Sequence, residues 1–373
     1  MRILHVASEV APFAQSGGLA DVVAGLAGAL ADREDVAVVV PLYRGVEARL
    51  AAAGIALADP EPFAIDVGWH HLAGAVRRAR VGRATYGFVE CGALYDRPGT
   101  LYGPGGTAEF PDNHVRFAAL ARVALEAGAG LVGGSIDVLH VHDWQGALAA
   151  VYARLAAAPP AIVATVHNLA FRGIFPKDVM PELGLPWSIF DLHHIEFWDQ
   201  VCLLKGGLAA ADAVTTVSPS YAHEITTPER GEALDAFIRA DVKRLIGIVN
   251  GIDVRAWDPW NDPALPAAFS AASPAGKATC RRELARELGL ALPDGEPLIG
   301  AIARMAWQKG LDLIADVVPE LHRIGARMVV LGSGDPALED RFRYLAATFS
   351  DHLAVRIGFD HDLSRRIYAG SDL

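Results

Sequence analysis

Cysteine is nearly absent: Cys91, Cys202 and Cys280 are the three in 373 residues. An odd number at wide spacing excludes a disulfide framework and a CxxC-type metal site, and fits a reducing, cytoplasmic setting. Positive charge is also short. Lys+Arg number 33 against Asp+Glu 44, a formal charge of −11. That balance excludes the broad basic footprint a nucleic-acid partner needs, while leaving room for a local basic pocket around a small anion. No run of about 18 uninterrupted apolar residues occurs, so no membrane-spanning helix is expected. The opening Met1-Arg2-Ile3-Leu4-His5-Val6-Ala7-Ser8-Glu9 is too short and too polar for a signal peptide. Apolar residues, by contrast, are plentiful. A hydrophobic fraction of 52% with 21% charged residues excludes disorder and supports sizeable cores. At roughly 150 residues per domain, the length predicts two or three domains.

Short apolar runs alternate with helical periodicity. Residues 3–7, 36–40, 138–141, 162–166, 213–217 and 246–249 read as buried strands. Leu19, Val22, Val23, Leu26 and Leu30 recur at the spacing of one helical face. The alternation predicts an α/β fold with a mostly parallel sheet covered on both sides. Residues 257–275 carry Trp257-Asp258-Pro259-Trp260, Pro263, Pro266 and Pro274, a linker-like composition. Beyond it, helices over 280–290, 311–324 and 338–347 alternate with strands over 298–303, 328–331 and 355–357. The expected organisation is a first domain over 1–250, a linker over 251–275 and a second α/β domain over 276–373. Two such domains predict a ligand cleft between them. The ending Gly370-Ser371-Asp372-Leu373 has no polar tail and no closing helix, and reads as cut within an element.

Five segments at strand ends could carry chemistry. Gln15-Ser16-Gly17-Gly18-Leu19-Ala20-Asp21 lies between the first strand and its helix. Its glycines permit close backbone approach, and the helix N-terminus offers N–H groups to a phosphate. It matches neither standard nucleotide fingerprint, and an ordinary strand-to-helix turn has the same features. Arg304 and Lys309 bracket a turn after the strand over 298–303. They are placed to hold a diphosphate at a strand carboxyl end, or are simply two solvated cations. His140-Val141-His142-Asp143 favours a polar strand terminus over a metal cluster. Thr165-Val166-His167-Asn168 ends a second buried strand with a histidine. Val249-Asn250-Gly251 reads equally as a plain turn. Two weaker signals remain. Asp360-His361-Asp362 has an Asp-x-Asp form common by chance, and Gly334 follows a strand where a ligand could approach.

Together these segments resemble the bacterial glycogen and starch synthases, retaining glucosyltransferases that use ADP-glucose. The matching stretches include Ser8-Glu9-Val10-Ala11-Pro12, Gly17-Gly18-Leu19-Ala20-Asp21-Val22, Leu94-Tyr95-Asp96-Arg97-Pro98-Gly99 and Phe110-Pro111-Asp112-Asn113. His142-Asp143-Trp144, His167-Asn168-Leu169-Ala170, Leu204-Lys205-Gly206-Gly207, Val217-Ser218-Pro219-Ser220-Tyr221, Asn250-Gly251-Ile252-Asp253 and Trp307-Gln308-Lys309-Gly310-Leu311 follow in family order. The resemblance covers essentially the whole chain.

It implies two facing Rossmann-like domains (the GT-B arrangement), with the second truncated. Arg304 and Lys309 would bind the ADP diphosphate, and His167 and Asp143 would line the transferred glucose. Gln15, Gly17, Gly18, Asp21, Asn250, Gly334 and Phe359 would contribute to the donor site. Phe359 stands where the family usually has a Tyr stacked on adenine. Tyr95 and Trp144 would sit toward an α-1,4-glucan acceptor. No cofactor and no metal are expected. Three departures qualify this. Gln15 replaces the usual Lys. Hydrogen bonds to charged groups contribute roughly 1.5–3 kcal/mol against about 1 for neutral ones, so donor binding or turnover should be about ten-fold weaker. Arg172 replaces a usual Gln. The chain also stops before the family's acidic, Glu-containing segment, so this length alone is expected to be inactive. Two rival readings remain open: a non-catalytic glucan- or nucleotide-binding homologue, and a UDP-glucose-dependent relative.

Overall fold

A computed structural model describes every residue except Gly106, Thr107 and Asp294. The chain forms two compact units. The first comprises Met1–Gly105 and Glu109–Ile252, and Asp253–Leu373 belong to the second.

The first unit contains strands β1 (Arg2–Val6), β2 (Asp35–Pro41), β3 (Glu61–Val67), β4 (His70–Val81), β5 (Ala84–Glu90), β6 (Val138–His142), β7 (Ala161–Val166), β8 (Ile174–Pro176), β9 (Glu196–Phe197), β10 (Gln200–Cys202), β11 (Ala213–Thr216) and β12 (Leu245–Gly247). Nine of them form one sheet in the order β12-β11-β7-β6-β1-β2-β5-β4-β3. Every pairing from β12 to β5 is parallel, and β4 turns back antiparallel between β5 and β3. The expected strands fall within this sheet. Val36–Val40 reads as an unbroken apolar run because β2 is covered on both faces, and Val38, Val39 and Val40 are fully buried. Each such side chain contributes about 1.5–3 kcal/mol by burial. The antiparallel extension was not anticipated. Its long member, β4, carries Ala, Gly and Arg with one face half-open, a composition of weak strand propensity. A separate small sheet joins β8, β10 and β9.

Helices cover the sheet. Helix Asp143–Arg154 packs against helix Leu203–Ala210, and the contact depends on a missing side chain. A Cβ at Gly207 would lie 2.7 Å from the Ala147 Cβ. The Lys205-Gly206-Gly207 motif is therefore a helix-packing feature. Lys205 is buried, and its ammonium donates to the Leu192 and Glu196 carbonyls.

In the second unit, β13 (Leu298–Ile302), β14 (Arg327–Gly332) and β15 (Leu353–Ile357) form a parallel sheet in that order. Strand β14 divides its side chains by period two. Val329 and Leu331 join Leu284, Leu363 and Ile367 in one core. Met328 and Val330 join Ala315, Val318 and Phe342 in the other. Helices Ala275–Leu288 and His361–Gly370 supply the first core, and helices Leu311–Arg323 and Pro336–Thr348 the second. The proline-rich stretch from Asp253 packs onto this unit instead of running free. Arg365 donates to the Ala256 carbonyl and to Asp262, and its guanidinium lies over the Trp257 ring. The sequence reading assigned no helix after residue 357, yet His361–Gly370 forms one, capped by Asp360. That cap also accounts for Asp360-His361-Asp362.

Candidate active site

In the first unit, the candidate residues follow the carboxyl ends of parallel strands. Gln15–Asp21 follows β1, Asp143 follows β6, His167 follows β7 and Asn250 follows β12. This is the edge at which open parallel sheets bind ligands.

The loop after β1 is organised by Glu9, a buried carboxylate. It accepts the Ser16 N–H at 2.6 Å, the Ser16 hydroxyl at 2.6 Å and the Gly17 N–H at 3.2 Å. The Tyr102 hydroxyl also donates to it. This corrects one expectation. Gly17 does not offer its N–H to a ligand, because Glu9 holds it. Gly18 begins the helix Gly18–Leu30 on the exposed side. Gln15 donates from its amide to Asp21 at 2.8 Å.

Asp143 has a left-handed backbone, φ 50°, at the first residue of its helix. Asp tolerates that region better than most residues. Its buried carboxylate accepts the His167 N–H at 2.7 Å and also bonds the Asn168 backbone. Burial pushes its pKa up to about 7, against the lowering effect of those two backbone bonds. Asp143 therefore ties the end of β6 to the end of β7 and fixes the backbone that presents His167. Leu169 is held likewise, its N–H donating to the Tyr221 hydroxyl.

Four histidines line one face of the central strands. His5 pairs with His140 across β1 and β6, and His142 pairs with Thr165 across β6 and β7. His5 Nδ1 lies 3.1 Å from His142 Nε2, and His142 Nδ1 lies 3.1 Å from His167 Nε2. His140 Nε2 contacts the Thr165 hydroxyl at 2.6 Å, which in turn contacts Thr215 at 2.6 Å. Burial lowers the pKa of His5 and of His167 to about 4. His140 and His142 are lowered well below the ordinary value, by burial first and by their neighbours second. All four are neutral at pH 7. His5, His140 and His142 bring their ring nitrogens within 4.8 Å of one another. Two of the three spend those nitrogens on each other, so the cluster is a hydrogen-bonded one.

Tyr95 and Trp144 are corrections. Tyr95 is 1% exposed, and its hydroxyl donates to the Arg116 carbonyl at 2.7 Å. Trp144 is 4% exposed, packed edge-on against Phe117 and closely over Gly173. Neither presents an aromatic face to a glucan; both are core residues. The Leu94–Asn113 region centres on Arg116, a fully buried cation. It donates to the Leu94 and Leu101 carbonyls and to Asn113.

In the second unit, three candidate positions again follow strand carboxyl ends: Arg304 after β13, Gly334 after β14 and Phe359 after β15. Arg304 and Lys309 are exposed on either side of the turn that enters helix Leu311–Arg323. Phe359 is 73% exposed, with its ring open to a planar partner. Gly334 has a structural account. A Cβ there would lie 2.4 Å from the Met305 carbonyl oxygen, and its N–H is already held by Glu339 at 2.9 Å. It lets the loops after β13 and β14 touch and does not itself offer a donor. Asn250 lies exposed in the loop that leads to the second unit.

The sequence reading passed over Glu9, His5 and His142 as individual residues. The two-residue spacing of His140 and His142 is a signal of one strand face that the sequence reading did not use. Aligning His5 with them required the β1–β6 pairing, which joins residues far apart in the chain.

A family profile described as the starch synthase catalytic domain matches residues 2–240. A glycogen synthase of Anaeromyxobacter dehalogenans is 47% identical over 380 aligned residues, covering 100% of this chain and 78% of that relative. The catalytic domain of starch synthase IV from Arabidopsis thaliana, solved with ADP and acarbose, superposes with a TM-score of 0.87 at 31% identity. The match covers 100% of this chain and 77% of that one. A sucrose-phosphate synthase from Thermosynechococcus elongatus, at 16% identity and a TM-score of 0.55, shares the fold alone. With a GT-B-type α/β fold, this family profile and these relatives, the chain belongs to the glycogen and starch synthase family of glucosyltransferases.

Proposed function

We propose that the protein transfers glucose from ADP-glucose to the non-reducing end of an α-1,4-glucan with retention of anomeric configuration. The observation that carries this reading is the pair of exposed cations, Arg304 and Lys309, around one strand end and one helix start. As the glycosidic bond to ADP breaks, negative charge grows on the diphosphate. Fixed positive charge aimed at it lowers the barrier. Arg forks onto two oxygens while Lys supplies a point charge. The sugar becomes oxocarbenium-like, and the acceptor 4-hydroxyl enters from the face the diphosphate leaves. His167 meets the sugar, on a backbone fixed by Asp143. The open ring of Phe359 stacks on the base. In this reading the two cations supply the charge a metal would otherwise bring, and the protein acts in the cytoplasm.

The test is transfer of labelled glucose into glycogen. ADP-glucose and UDP-glucose are compared with this 373-residue chain and with any longer product of its reading frame. Label should enter with the longer product and not with the 373-residue chain, and from ADP-glucose at least about ten-fold faster than from UDP-glucose. Arg304→Ala with Lys309→Ala should cut kcat by about 10²-fold or more, the scale of losing a transition-state charge partner. Glucan binding without any label would establish the binding-protein reading instead. A preference for UDP-glucose would establish the other rival.

A further inference from the structure

We infer that His142 and His5 are positioning residues, and that they hold His167 in a single tautomer with its ring proton on Nδ1. The inference rests on the proposed placement of His167 against the transferred sugar.

Three imidazoles form a line: His5 Nδ1 to His142 Nε2 at 3.1 Å, and His142 Nδ1 to His167 Nε2 at 3.1 Å. A neutral imidazole carries one proton, so one ring nitrogen donates and the other accepts. The three rings are thereby coupled. Every hydrogen bond in the line must point the same way, and the choice made at one end is imposed at the other. The far end makes that choice. His5 is fully buried, and its Nε2 has no hydrogen-bond partner. A buried N–H without an acceptor is rarer and more costly than an unused lone pair. His5 therefore carries its proton on Nδ1 and donates to His142 Nε2. His142 must then carry its own proton on Nδ1 and donates to His167 Nε2. His167 is left with Nδ1–H as its remaining donor, suited to an acceptor oxygen such as a sugar hydroxyl. Water strongly competes for an imidazole at an open site, and a ring free to choose would divide between tautomers. The buried line removes that freedom before the donor arrives, a form of preorganisation. His140 is set aside from the line. It stacks on His142 at 4.4 Å between ring centres and bonds Thr165 instead.

The experiment is two-bond 1H–15N spectroscopy of ligand-free, 15N-histidine-labelled protein, with signals assigned by single substitutions. His5, His142 and His167 should each show the neutral Nδ1–H pattern. In His142→Phe, which keeps a ring but no polar atom, His167 should lose that pattern. The kcat should fall about 10- to 100-fold, the usual scale for removing an orienting partner, with the KM for glucan within about two-fold. His142→Asn returns an amide near the former Nδ1 and should recover kcat to within about three-fold. An Nε2–H signal at His167 in the unsubstituted protein overturns the inference. So does a folded His142→Phe with unchanged His167 signals and kcat. A stoichiometric metal in the purified protein, lost on removing His5, also overturns it, because coordinated nitrogens cannot form the line. If His142→Phe does not fold, the spectrum of the unsubstituted protein decides alone. An intact line in a protein that transfers no glucose would sink the proposed function and leave the tautomer assignment standing.

Discussion

Single residues in this molecule divide into those that face a ligand and those that hold such residues in place. Gln15, in the proposed reading, belongs to the first kind, and its side chain is a neutral amide. It is satisfied locally, donating to Asp21. Restoring the cation with Gln15→Lys should raise kcat/KM for ADP-glucose about ten-fold, since a charged donor to phosphate outweighs a neutral one by about 1–2 kcal/mol. Steady-state kinetics at varied donor concentration checks this, and an unchanged kcat/KM would show that residue 15 does not reach the diphosphate. Gly334 belongs to the second kind. A methyl group there would meet the Met305 backbone at 2.4 Å. Gly334→Ala should destabilise the second unit by about 1–3 kcal/mol, the cost of overpacking a tight contact. Thermal unfolding measures it, and an unaltered Tm would mean the two loops part freely. Such holding roles were not legible in the sequence. Tyr95 and Trp144 looked like ligand contacts because they sit in motifs shared with the family, and Gly334 because it follows a strand end. Their partners, the Arg116 carbonyl, Phe117 and the Met305 backbone, come from elsewhere in the fold.

At the scale of elements, legibility followed hydrophobic pattern. The buried parallel strands announce themselves as β-branched runs, and the boundaries of β2, β6, β7 and β14 fall within two residues of expectation. Strands β3 to β5 and the small β8-β10-β9 sheet were hidden. Their residues alternate only loosely, and two- or three-residue strands are defined by distant partners, not by composition. The histidine-lined face of β1, β6 and β7 sets a pH dependence. His5 and His167 have folded pKa values near 4, below the ordinary 6.5, because burial penalises the cation. Their contribution is therefore full above pH 6.5 and is lost as pH falls through 4. For fully buried His5 the difference is worth about 3 kcal/mol. Asp143 works in the opposite sense. Its pKa near 7 lies above the ordinary 3.8, so its contribution is full below pH 3.8 and is lost as pH rises through 7. His140 and His142 share the direction of the other two histidines. Four groups outweigh one, and Tm should drop steeply between pH 6.5 and 4. His5→Phe should flatten that slope. A Tm indifferent to pH across the window would show that the rings are already solvated.

For the whole molecule, the net charge of −11 contrasts with the anionic donor proposed here. Binding must then rely on a few local cations against an unfavourable overall field, so donor affinity should weaken with salt. If Arg304 and Lys309 supply the catalytic charge, exhaustive treatment with EDTA should leave kcat within about two-fold. A loss restored by added divalent cation would show that a metal shares the task. No helix among the described residues is long and apolar enough to cross a membrane. The loop after β1 adds a last consequence, in evolutionary terms. Its shape is imposed by Glu9, which gathers Ser16, Gly17 and Tyr102, while the side chain at position 15 takes no part in that cage. Residue 15 can therefore drift between neutral and charged without disturbing the fold around it. Under the donor contact proposed for residue 15, selection can adjust the response to the donor there in one step, at little risk to the scaffold.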